Sequence, residues 1–76
     1  MSQTPVSDIA MTTAEEGIAQ VKENVAQQLG SKQWHWMGNY GSVYDMANVA
    51  NQAGCGAGEV ISSILPNNLI PTWMYY

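Results

Sequence analysis

Positive charge is almost missing from this chain. Two Lys and no Arg stand against six acidic side chains in 76 residues, for a net charge of −4. Nucleic-acid affinity rests on cations that neutralise phosphates, so direct DNA or RNA binding is disfavoured. The same shortage disfavours an anionic membrane surface, because interfacial helices carry Lys and Arg on their polar face. Cysteine is as sparse. Cys55 stands alone, so no intrachain disulfide can form, and with His35 as the one imidazole, Asp45 and Glu59 complete no recognised metal-ligand spacing. No apolar run approaches the ~20 residues of a transmembrane helix. The opening MSQTPVSDIAMTT has neither a basic start nor a long apolar segment, so an ordinary secretory signal is not expected. The expectation is synthesis in the cytoplasm, with a virion or another large complex as the final location.

The little charge there is lies unevenly. Only 11% of residues are charged, against about a quarter in ordinary soluble domains. From Gln33 to Tyr76 the charged side chains are Asp45 and Glu59, yet this stretch holds all three Trp, all four Tyr, the His and the Cys. Such a surface calls for a cover. One domain of this size rarely draws more than ~3–5 kcal/mol from its core. With no disulfide or metal to add, docking on protein partners, copies of itself included, is the support that remains.

Local signals predict helices. Thr13, Ala14, Glu15 and Glu16 form a capping-box pattern. Ala14, Ile18, Val21, Val25 and Leu29 then recur at helical spacing up to Gly30, predicting an amphipathic helix over 13–30. Ahead of it, 1–12 reads as an extended arm in which Val6, Ile9 and Met11 can pack on a neighbour. Residues 31–41 read as an aromatic linker or short strand, whose period of two sets Trp34 and Trp36 on one face and His35 on the other. Ser42 can cap a second helix over 42–54, ended by Gly54. Glu59 to Leu65, with Val60, Ile61, Ile64 and Leu65, predicts a short third helix over 57–65, ended by Pro66. The tail 66–76 is extended and closes on Thr72, Trp73, Met74, Tyr75 and Tyr76. The fold expected from these signals is mostly α: about three short helices joined by Gly-rich links, with extended arms at both ends, not an independent compact domain.

Candidate chemistry is thin. His35 and Cys55 could form an imidazole–thiol pair, but no local signature accompanies them, and a Cys between two glycines suits a tight backbone contact. Gly54, Gly56 and Gly58 lack the Lys of a phosphate loop, and Glu59 puts negative charge where a phosphate would sit. Neither catalysis nor a cofactor is indicated. The residues assigned to function are contact anchors: Trp34, Trp36, Trp73, Met74, Tyr75 and Tyr76, with Ala50 and Gly54 permitting close approach by a partner. Aromatic side chains bring large contact area at low rotamer cost. Removing Trp73 to Tyr76 is expected to abolish assembly and leave the first helix intact.

The leading expectation is therefore a non-catalytic structural or accessory subunit, such as a minor virion component or a small subunit clamped on a large one. An alternative comes from layout. A capped amphipathic helix, then Gly30 and Ser31, then a charge-poor, Gly-rich aromatic segment resembles precursors of double-glycine bacteriocins and microcins. The resemblance implies a leader over 1–31 and a processed remainder, and it departs from the family at Gln28, where an aliphatic residue is expected. A small regulatory module that folds on a protein target is the third reading.

Overall fold

Helix α1 (Ala14–Gln27) starts where its caps place it. Glu16 N–H donates to Thr13 Oγ1 at 3.1 Å, and Thr13 N–H donates to Glu16 Oε1 at 2.9 Å, closing the capping box. The helix stops earlier than its apolar spacing predicts. Gln28 is the C-cap, in extended conformation, and its N–H donates to Asn24 O at 2.9 Å. The computed structural model describes residues 10–28 and 30–76, so Val6, Ile9 and Leu29 lie outside the described residues. Helix α2 (Val43–Ala53) matches its sequence signals: Ser42 Oγ accepts from Asp45 N–H at 3.2 Å, and Gly54 ends it at φ +76°.

The remaining elements are strands. β1 (Met11–Thr12), β2 (Trp34–Tyr40), β3 (Val60–Ser62) and β4 (Ile70–Tyr75) form one mixed sheet in the order β1-β2-β4-β3. β1 runs parallel to β2 across α1, and β4 lies antiparallel to both β2 and β3. Pro71 has no N–H to donate, but its carbonyl accepts from Ser63 N–H at 3.3 Å.

This architecture overturns the expected fold. The described residues form an α+β globule of two helices and a four-stranded sheet, not three helices on an extended chain. Its radius of gyration, 11.6 Å, matches the roughly 11 Å of a compact domain of this length. The third helix over 57–65 is not formed. Its apolar residues are mostly β-branched, and Val60, Ile61 and Ser62 pair with Met74, Trp73 and Thr72 of β4. Likewise the linker at 31–41 and the tail at 66–76 supply the two central strands.

Both helices pack on one face of the sheet. The core joins Val21 of α1, Val49 and Ala50 of α2, Met37 and Tyr40 of β2, and Met74 and Tyr76 at the C-terminal end. Gly17 is the contact that lets this happen. A Cβ there would lie 2.7 Å from Val49 Cγ2 and would also strike the Tyr40 hydroxyl, so only glycine admits the Tyr40 ring and Val49 against α1. The two phenols drawn inside are paired. Tyr40 Oη donates to Met37 O, Asn24 Nδ2 donates to Tyr76 Oη at 2.7 Å, and Tyr76 Oη approaches Met37 Sδ at 3.2 Å. Burial raises the pKa of both phenols.

Candidate functional site

Alternation along β2 and β4 sends every second side chain away from the helices. Cross-strand partners share a face, so Trp34 opposite Tyr75 and Trp36 opposite Trp73 project together from the side that no described helix or strand covers. Ile61 of β3, opposite Trp73, joins them. The rings are in contact as tilted pairs. Trp34 and Tyr75 have centroids 5.2 Å apart with planes at 47°, and Trp36 and Trp73 are 5.7 Å apart at 58°. Trp34 and Trp73 remain 43% and 45% exposed, and Ile61 56%. With Trp36 and Tyr75 half-buried beside them, these side chains form a contiguous aromatic patch on one small sheet, whereas Tyr44, 84% exposed, stands on α2.

A bulge sets where this face ends. The register shifts between Trp36 and Gly38, leaving the fully buried Met37 without a partner on β4, and Gly38 adopts φ +104°. A Cβ on Gly38 would lie 2.7 Å from Thr12 Cβ, so the glycine also seats β1 beside β2. Beyond the bulge, Asn39 N–H donates to Thr12 Oγ1 and Asn39 Nδ2 to Ala10 O, both at 3.2 Å.

One ion pair stands at the rim of the aromatic face. Lys32 Nζ lies 2.9 Å from Glu59 Oε2 and 5.8 Å from the Tyr75 ring centroid. Glu59 Oε1 accepts from Gly56 N–H at 2.7 Å. The Gly56 amide and Lys32 hold the Glu59 carboxyl below its ordinary range, and the Glu59 hydrogen bond raises the Lys32 pKa.

The residues assigned to contact from the sequence divide between the two faces. Trp34, Trp36, Trp73 and Tyr75 share the outer face. Met74 is fully buried and Tyr76 nearly so, both on the helix side, and Ala50 is buried in the same core, so these three serve the chain's own packing. Gly54 is exposed, and a Cβ placed on it would meet no atom within 4 Å, so its role is the left-handed stop of α2. Ile61 belongs to the face although its sequence pattern assigns it elsewhere. The expected helix over 57–65 groups it with Val60, Ile64 and Leu65, whereas in a strand Ile61 and Ser62 point to opposite sides.

His35 and Cys55 occupy different settings. His35 stacks on Tyr76 with centroids 4.1 Å apart and planes at 17°, and desolvation lowers its pKa. Cys55 Sγ donates to Tyr75 O at 3.4 Å, and burial pushes its thiol pKa up, the opposite of what activates a nucleophile. Among the described residues no group of three His, Cys, Asp or Glu side chains is placed to hold a metal, and no helix is long and apolar enough to cross a membrane. No protein-family model, curated protein or solved structure matches this chain.

Proposed function

We propose that this chain is a non-catalytic assembly subunit that docks on protein through the outer face of its sheet. The observation that carries the reading is the shared orientation of Trp34, Trp36, Trp73, Tyr75 and Ile61. Their chemistry favours a protein partner over a sugar or a base. A flat ligand such as a base stacks on a free ring face, whereas here each ring packs at a tilt against its neighbour, which suits a side-chain surface better than a planar ring. Trp and Tyr are also the residues that dominate binding energy in protein interfaces.

The packing of α1 supports this reading over a cleaved precursor. The helix that would be a leader supplies Val21 to the core, and Gln28 Nε2 donates to Tyr76 O at 3.0 Å. Cleavage after Ser31 would strip the sheet of half its helical cover. The test is affinity capture of tagged protein from the cells that make it, comparing wild type with Ile61→Lys and Trp73→Ser. Capture of a protein partner, untagged copies of this chain included, that both variants lose while their circular dichroism stays native, is expected. Equal capture by all three proteins would sink the proposal.

A further inference from the structure

We infer that the partner of the aromatic face is the same face on a second copy of this chain, in a two-fold sheet-to-sheet dimer. The inference rests on the docking role proposed above and names its occupant. Charge is the first argument. In the described part of the chain, Glu15, Glu16, Lys22 and Glu23 lie on α1 and Asp45 on α2, in the helical layer. The sheet side carries Lys32 and Glu59, which neutralise each other at 2.9 Å. An acidic protein that met a basic partner would turn its carboxylates toward it. This one turns them away and presents a neutral surface.

Two copies brought face to face therefore match in charge. Neutral apolar surface meets neutral apolar surface, while the acidic helices point outward on opposite sides of the pair. The helical layers would then be separated by two sheets about 10 Å apart, further than the ~8–10 Å over which salt at physiological strength screens charge. Repulsion between two chains of net charge −4 is thereby kept small.

Area sets the strength. A Trp side chain carries up to about 250 Å², and with Trp34 and Trp73 each a little under half exposed, the five residues leave on the order of 400 Å². That is below the roughly 800 Å² per partner of a standard interface. The dimer is therefore a weak one, formed at micromolar to submillimolar concentration. A two-fold axis also makes each contact occur twice, so Ile61 and Trp73 each act on both sides of the interface.

Sedimentation velocity of the full chain from about 1 to about 500 µM tests this, a range that spans the affinities of weak interfaces, with tryptophan emission followed in parallel. Wild type is expected to shift from monomer to dimer as its emission moves to the blue. Ile61→Lys and Trp73→Ser are each expected to weaken association at least tenfold with unchanged circular dichroism. Lys22→Glu, on the opposite layer, should leave association within about twofold of wild type at about 150 mM salt. A wild type that stays monomeric at the top of that range, or a dimer that neither face variant weakens, overturns the inference. A monomeric wild type that still captures a different protein through Ile61 and Trp73 overturns the self-pairing alone, whereas one with no face-dependent capture removes the docking role as well.

Discussion

The imidazole of His35 lies flat against the phenol ring of Tyr76, centroids 4.1 Å apart and planes 17° from parallel. The ring sits half-buried, and desolvation lowers its pKa below the ordinary value of 6.5. The unfolded chain therefore takes up a proton before the folded one as pH falls. Its contribution to stability is complete above about pH 6.5 and is lost as the solution is acidified toward the lowered folded value. Urea midpoints measured from about pH 7.5 to about pH 5, across the range in which imidazole titrates, are expected to fall for wild type. His35→Phe, which keeps a ring on Tyr76 and cannot titrate, should flatten the curve across that window. An unchanged slope would assign the effect to another group.

Replacing Gly17 by Ala should destabilise the protein, against the usual trend. In an open helix interior this change gains about 0.5–1 kcal/mol. Here the new methyl would lie 2.7 Å from Val49 Cγ2 and would press on the Tyr40 hydroxyl, both in the packed core. Overpacking of this kind costs about 1–3 kcal/mol, so a net loss of about 1–2 kcal/mol is expected in denaturant unfolding. A more stable variant would show that α1 can move away from β2 freely.

Neighbours on β4 should respond in opposite ways. Met74 is fully buried on the helix side, so Met74→Ala is expected to cost about 2–5 kcal/mol. Trp73 faces out, and Trp73→Ser should cost well under half of that while weakening association. Thermal melts of the two variants, run at low concentration so that any association does not contribute, separate the core from the outer aromatic face. Equal losses would mean that the outer aromatic pairs also hold the fold.

From the sequence alone, deleting Trp73 to Tyr76 should leave α1 intact, and the structure reverses that expectation. Tyr76 accepts from Asn24 of α1, and Met74 and Tyr76 both belong to the core that α1 packs on. The truncated chain should lose cooperative unfolding, and its helical circular dichroism should fall with it. Retention of a sharp transition would show that the sheet survives without the end of its central strand.

Signals that act within one turn of chain are legible in the sequence. The Thr13 and Glu16 capping box, the Ser42 cap and the Gly54 stop are each closed by atoms three or four residues apart, and all three form as their residue types require. Period-two alternation around Trp34, His35 and Trp36 likewise places both indoles together. The stretch from Val60 to Leu65 is not legible. Apolar residues at 60, 61, 64 and 65 satisfy a helical stripe as well as a buried strand over so short a span, and β4, which resolves the ambiguity, lies some ten residues further on.

What the sequence determined by itself is the inventory and the local order: two Lys against six acidic side chains, one His and one Cys, two capped helices, and seven Trp and Tyr side chains in 76 residues. What the tertiary structure decided is where that surface went. Strand pairing between β2 and β4 joins residues 34–40 to 70–75, a separation across which no local propensity acts. That pairing sends Met74 and Tyr76 inward and Trp73 and Tyr75 outward. A side chain's face in a sheet is fixed by register with a distant strand, and one step of register would have exchanged the outer aromatic face for the core.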